Sequence, residues 1–331
     1  MPKHRIAVAG AGRLARIRGQ ALLATGRAEI CAVASLHLET ARQCANELGC
    51  RQYYDDYRKL RETNCEAVLI ETPHNAQEKI AIWALEEGLD LLIGGALATS
   101  VAAGRRIAEM TARNGRIVEA GFNSRYDPAW EETRRLIQQG ELGEPVMATS
   151  TVLWRGRPDS WYYDQQASGG MPITHLTYVY VNLVRWILGR PTSVSAVANR
   201  KRETSAQRVV EESCAALIRF ESGAFYAAAA SFIKPDGFTN PDMRFLCTHG
   251  AIQIHESPSD GSGSISVFHD SGREVRTFPD QPTLMVRQAN AFLDALETRS
   301  PARNPPDDVL GDLVVAEAVS DSAREGQVVL L

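Results

Sequence analysis

From residue 5 to about residue 121 the chain alternates short apolar runs with segments whose apolar residues recur three and four apart. The runs are Ile6 to Ala9, Ile30 to Ala34, Ala67 to Ile70, Leu91 to Ile93 and Ile117 to Glu119, and each is followed by a turn or a helical pattern. Ala81, Ala84 and Leu85 share a helical face in the segment ending at Gly88, a residue suited to cap a helix C-terminus. This is the βαβ rhythm of a parallel sheet and predicts an α/β domain over residues 1–122.

After Gly121 the rhythm changes. One helix, Ala129 to Gln139, leads into longer β-like runs at 146–154, 192–199, 208–220, 223–232 and 243–255. Runs that follow one another with turn signals such as Glu221-Ser222-Gly223 predict an antiparallel sheet and a second domain of α+β type over 123–331. The Ser- and Gly-rich stretch Glu256 to Gly263 reads as a loop, and the Pro-rich stretch Pro301 to Pro306 separates two final helices. No internal repeat is visible.

Composition narrows the function classes. At 331 residues, 44% hydrophobic and 23% charged, the chain has enough apolar material for two packed cores and too much for a largely disordered protein. A formal net charge of −4 argues against a nucleic-acid partner and toward small ligands. No apolar run reaches the ~20 residues of a bilayer span, and Met-Pro-Lys-His-Arg runs straight into the first strand, so no membrane partner and a cytoplasmic location are expected. The six cysteines show no C-x-x-C pair and read as reduced, mostly buried thiols. His74, His175, His249, His255 and His269 are scattered, with no carboxylate at ligand spacing, so no metal is expected. No nucleophile elbow is recognisable.

The first βα turn carries Gly10-Ala11-Gly12-Arg13-Leu14-Ala15. A G-x-G-x-x-A string is weak alone, but here it follows a strand and opens a helix. Gly10 then makes the tight turn, Gly12 admits a pyrophosphate to the backbone, and Ala15 allows close helix–strand packing. The helix N-terminus, with Arg13 and Leu14 in its first turn, supplies amide donors and partial positive charge. The strand after the helix ends in Ser35, where NAD-binding chains commonly place an acid for the ribose. No arginine adjoins Ser35 to grip a 2′-phosphate, so NAD and NADP both stay open, with a lean to NADP.

Several local strings extend the picture: Thr72-Pro73, Gly121-Phe122-Asn123-Ser124-Arg125-Tyr126-Asp127-Pro128, Gly140-Glu141-Leu142-Gly143-Glu144-Pro145, Ser168-Gly169-Gly170 and Ser322-Ala323-Arg324-Glu325-Gly326. With the glycine loop and the domain order, the chain resembles the Gfo/Idh/MocA oxidoreductases. The resemblance implies a Rossmann domain followed by a domain with an open, predominantly antiparallel sheet whose outer face makes a homo-oligomer. It implies NAD(P) as cofactor, contacted by Thr72, Pro73, Gln77 and Gly94 besides the loop, and a sugar, cyclitol or related ketone or imine as substrate.

The resemblance also exposes departures. The family's Glu-Lys-Pro, whose lysine exchanges the hydroxyl proton, reads Gly94-Gly95-Ala96, and the histidine after the Thr-Pro motif reads Gln77. The pattern G-G-x-x-x-x-D-x-x-x-H-x-x-D reads Gly169, Gly170, His175, Val179, Asn182. His175 is the first replacement to consider, since an imidazole can accept and donate a proton near neutral pH, with Tyr178 three residues on as an assisting hydroxyl. A hydrogen-bonded structural histidine and a packing tyrosine are the competing roles. Arg125, Trp161 and Tyr163 are candidate substrate contacts, with Tyr126, Tyr162 and Asp164 nearby and Lys234 as a displaced lysine. Two functions follow: an oxidoreductase with an altered acid/base site, or a catalytically silent dinucleotide-binding sensor of the same fold.

Overall fold

Strand β1 (His4–Ala9) has neighbours on both edges, and its residues Ile6 to Ala9 are fully shielded from water. A strand covered on both faces must be apolar throughout, which is why the first-half strands are continuous apolar runs. The computed structural model describes residues 2–156, 160–169, 178–200, 211–255, 263–279 and 281–331, and of residues 178 and 179 the backbone alone.

The described chain divides into two units, 1–123 with 284–310 and 124–283 with 311–331. In the first, β1 is followed by α1 (Arg13–Ala24), β2 (Ala28–Ala34), α2 (Leu38–Glu47), β3 (Tyr53–Tyr54), β4 (Ala67–Ile70), α3 (His74–Glu86), β5 (Asp90–Ile93), α4 (Val101–Asn114) and β6 (Val118–Ala120). All six strands are parallel, in the order β3-β2-β1-β4-β5-β6. The two-residue β3 is a strand that the hydrophobic pattern does not announce, because it is too short to show a period.

The second unit holds α5 (Pro128–Gln138), β7 (Pro145–Leu153), α6 (Gln165–Ser168), α7 (Tyr178–Leu188), β8 (Pro191–Asn199), β9 (Ser213–Phe220), β10 (Phe225–Ser231), β11 (Met243–Cys247), β12 (Gly250–His255), β13 (Ser264–His269) and β14 (Gly272–Thr277). With β15 (Val329–Leu330) these strands form one sheet, β14-β13-β12-β11-β7-β10-β9-β8-β15. It is open and antiparallel except for the parallel pair β7 and β10. The expected single run at 243–255 is a hairpin, with Cys247 opposite Gly250 and the turn at Thr248 and His249. Of the expected run 208–220, residues 208–210 lie outside the described residues, as do 256–262 of the expected loop.

The expected second domain of 123–331 is corrected at one segment. Helix α8 (Leu284–Thr298) returns to the first unit, where Phe292 and Leu293 join a core with Ile6, Val8, Ala15, Leu22 and Leu48. Its apolar face has the period of any helix, so the pattern shows that it packs and not on which core. Helix α9 (Pro306–Glu325) follows, and its residues from Gly311 on belong to the second unit. Among the described residues no helix is long and apolar enough to cross a membrane.

Candidate functional site

The turn from β1 into α1 is shaped by the end of β4. Gly10 has φ +112, a region that L side chains rarely adopt, and its amide donates to the Ala34 carbonyl at 2.8 Å. A Cβ there would lie 2.0 Å from the Glu71 carbonyl oxygen. Gly12 is the residue before the first turn of α1, and a Cβ on it would meet nothing within 4 Å. The space over the helix N-terminus is therefore open. Arg13 is exposed, Leu14 half-buried and Ala15 fully buried against the sheet, and no acidic side chain in the first turn neutralises the helix's positive end. Such an end takes a phosphate. At the end of β2, half-buried Ser35 donates its amide to the Tyr54 carbonyl, and Leu36 beside it is 91% exposed.

Beneath this loop lies an ion pair that sequence reasoning missed. Arg18 Nε stands 2.5 Å from Glu71 Oε1, and the two side chains are 6% and 7% exposed. Arg18 also donates to Gln288 Oε1 at 2.5 Å and to the Gly121 carbonyl at 2.6 Å. Burial raises the pKa of the Glu71 carboxyl, with Arg18 pulling the other way. The carboxylate lies against Gly94, where a Cβ would fall 2.2 Å from Oε1. One residue thus requires glycine at two motif positions, Gly10 through its backbone and Gly94 through its side chain. A glutamate directly after the apolar run of β4 is a visible oddity, but its partner 53 positions earlier on a helix is not.

Thr72 and Pro73 carry the chain from β4 into α3. The Thr72 hydroxyl oxygen is buried with no hydrogen-bond partner among the described residues, which marks a place for a ligand atom. Gln77 is buried, and its side-chain amide donates to the Gly94 carbonyl at 2.9 Å and the Ala96 carbonyl at 2.7 Å. That role holds the loop after β5 in place. Gly95 has φ +55, and a Cβ there would lie 3.1 Å from Nε2 of buried His74. The glycine cradle, the open space at Gly12 and the unpartnered Thr72 hydroxyl fit a dinucleotide.

In the second unit the expected substrate residue Arg125 is corrected to a structural role. It is 1% exposed; its Nε donates to Asn182 Oδ1 at 2.8 Å, its Nη2 to the Asn182 carbonyl at 3.2 Å, and its guanidinium lies over the Trp186 ring. Asn182 donates to Asp312 Oδ2 at 2.7 Å, and Asp312 also pairs with Arg185. Burial raises the Asp312 pKa, while Arg185, Asn182 and Arg125 oppose the rise. Asn182 therefore fills its motif position as a bridge between an arginine and a carboxylate. Tyr163 is buried, with its ring packed in the core 5.3 Å from Phe232. Trp161 is half-buried and stacks on Tyr162 at 4.0 Å. Asp164 caps α6, Tyr126 is buried and Lys234 is half-buried. His175 and the Tyr178 side chain lie outside the described residues.

Two other polar groupings are structural. His255 bridges Asp242 Oδ2 and Ser266 Oγ, each at 2.8 Å, but Ser266 is fully buried and its oxygen also accepts from Arg273, so the trio braces strands and presents no nucleophile. Among the described residues no group of three or more His, Cys, Asp or Glu is arranged to hold a metal. All six cysteines are free and all but Cys31 are buried.

Comparison with known proteins bears on the whole chain. Residues 4–122 match the oxidoreductase family with NAD-binding Rossmann fold, and residues 130–253 match the GFO/IDH/MocA C-terminal domain. The chain is 29% identical over 256 residues to scyllo-inositol 2-dehydrogenase (NAD(+)) of Bacillus subtilis (strain 168), covering 76% of this chain and 73% of that one. It is 25% identical to D-xylose 1-dehydrogenase (NADP(+)) 2 of Haloferax volcanii, covering 92% of both. In fold it is similar to the aldose-aldose oxidoreductase from Caulobacter crescentus, with TM-score 0.89, 22% identity and coverage of 99% of this chain and 100% of that one. The glycine-lined loop on a parallel sheet of this order, followed by an open antiparallel sheet, places the chain in the Gfo/Idh/MocA family of NAD(P)-binding sugar and polyol oxidoreductases.

Proposed function

We propose that the protein is an NAD(P)-dependent oxidoreductase acting on a small polar substrate, a sugar, a cyclitol or a related ketone or imine, with an altered acid/base site. The observation that carries this reading is the cradle at Gly10 to Ala15, closed from below by Glu71 and open above Gly12. When bound, the nicotinamide supplies the hydride chemistry. The chain binds the phosphates at the α1 N-terminus and orients the ring end over β4 and β5. Ser35 places no carboxylate against a 2′-phosphate, which favours NADP. The sequence offers His175, assisted by Tyr178, to exchange the substrate proton, and Trp161 as an aromatic face for a ring substrate.

The outer face of the second sheet supports a homo-oligomer. Leu217, Ala227 and Thr149 form one row across β9, β10 and β7, and Val197, Ala215, Ala229 and Thr151 the next across β8, β9, β10 and β7. Val197 is 70% and Leu217 51% exposed, so this apolar face suits a second copy of the chain.

Fluorescence titration with NADH and NADPH, followed by assays with scyllo-inositol and D-xylose, tests the reading. Binding with turnover supports it. The silent-sensor reading draws on the lack of any ionisable side chain in Gly94-Gly95-Ala96, and binding without turnover would favour it.

A further inference from the structure

We infer that the imidazole of His74 exchanges the hydroxyl proton of the substrate. The inference rests on the oxidoreductase reading above and puts His74 in place of His175, the group offered by the sequence, as the one that handles its proton.

In a doubly wound sheet the dinucleotide lies across the carboxyl ends of the strands, with its pyrophosphate on the loop after the first. Ser35 and Leu36, after β2, serve one mononucleotide half. The other half, and the carbon that exchanges hydride with it, then falls over the ends of β4 and β5. The segments there are Glu71 to Asn75 and Gly94 to Ser100, and their titratable side chains are Glu71 and His74. Glu71 is turned down onto Arg18 and sealed beneath Gly94. His74 stands on the first turn of α3, on the far side of Thr72 and Pro73, with Nε2 3.1 Å from where a Gly95 side chain would begin.

A Cβ at Gly95, in the loop after β5, would crowd Nε2 at 3.1 Å, and the φ of +55 there favours glycine, so the loop passes close against the imidazole. The ring is 4% exposed and shares its segment with the unpartnered Thr72 hydroxyl, a second polar group suited to a ligand atom. In the oxidative direction the substrate's O–H proton passes to the imidazole, and the carbon's hydride passes to the oxidised dinucleotide. Alcohol and NAD(P)⁺ become carbonyl and NAD(P)H, and the imidazole afterwards releases its proton to water.

The test uses the full-length protein with NAD⁺ or NADP⁺ and scyllo-inositol or D-xylose as probes. His74→Gln is expected to keep dinucleotide affinity within about twofold while kcat falls about 100-fold or more, and added imidazole is expected to restore part of the rate to His74→Ala. Ring-nitrogen NMR gives a readout apart from turnover. The histidine signal missing from His74→Gln should shift when the dinucleotide binds, and shift again with inositol. Turnover of His74→Gln within about threefold of wild type, with a large loss in His175→Gln instead, would overturn the assignment and leave the oxidoreductase reading standing. Wild-type protein that binds the dinucleotide and turns over neither probe would overturn both.

Discussion

Arg18 and Glu71 meet at 2.5 Å beneath the phosphate loop, and Glu71 reaches Gly10 with its backbone and Gly94 with its carboxylate. The pair therefore sets the shape of the cradle floor. Removing one partner leaves a buried charge without its counterpart, so Arg18→Met or Glu71→Gln should each cost about 3–5 kcal/mol in urea unfolding. Arg18→Met/Glu71→Gln together should cost less than the sum of the singles. Additive losses would show that the two groups are not coupled.

The two loop glycines should fail differently. A Cβ on Gly10 strikes backbone that cannot swing aside and needs a φ that alanine resists, so Gly10→Ala should lose about 2 kcal/mol or more of stability. Gly12→Ala should melt like the wild type, because its Cβ meets no protein atom, yet weaken NADH or NADPH binding about tenfold or more by crowding the pyrophosphate. Melting curves and fluorescence titration separate the two. Equal dinucleotide affinity in Gly12→Ala and wild type would place the phosphates elsewhere.

Restoring the family's aspartate at position 182 should harm the protein. Asn182 accepts from Arg125 and donates to Asp312, whereas an aspartate would set a second carboxylate against a fully buried one. Asn182→Asp should cost about 3 kcal/mol near neutral pH. With one proton shared between the carboxyls, part of that loss should return as pH falls, because like charges raise a carboxyl pKa. A denaturation series from pH 8 to pH 5 checks this; an undiminished melting point at pH 8 would contradict it.

Cys31 should be the reactive thiol. Hydrogen bonding from Cys65 lowers its pKa to about 7, while burial raises those of Cys44, Cys50 and Cys247. Its thiolate therefore forms at lower pH than those of Cys44, Cys50 and Cys247, and it is the partly buried one of the six while the others are buried. Pulsed iodoacetamide labelling at pH 8 with peptide mass spectrometry should mark Cys31 first. Faster labelling of Cys44 or Cys50 would be inconsistent with this packing.

The parts of the site legible in the sequence were those carried by local order. Gly10 and Gly12 follow a strand and open a helix, so their role could be read from neighbours a few residues away. Arg18 and Glu71 lie far apart in sequence, and no period or motif joins them. Arg125 stood in a motif string, but a string does not tell an arginine that faces a ligand from one buried against Asn182. Strand β14, Gly272–Thr277, is largely exposed and charged, and so carries little apolar signal. Helix α8 was legible as a helix, whereas its return to the first core depends on tertiary packing.

If the cradle between Gly10 and Gly94 holds a dinucleotide, the protein binds it saturably and exchanges hydride with a substrate through it. The most direct test is to titrate the wild type with NADH and NADPH and then follow reduced-nicotinamide absorbance with scyllo-inositol and D-xylose under NAD⁺ and NADP⁺. Saturable binding of at least one dinucleotide is expected, with a rise in absorbance that His74→Gln nearly abolishes. No binding of either dinucleotide would contradict that expectation at its base.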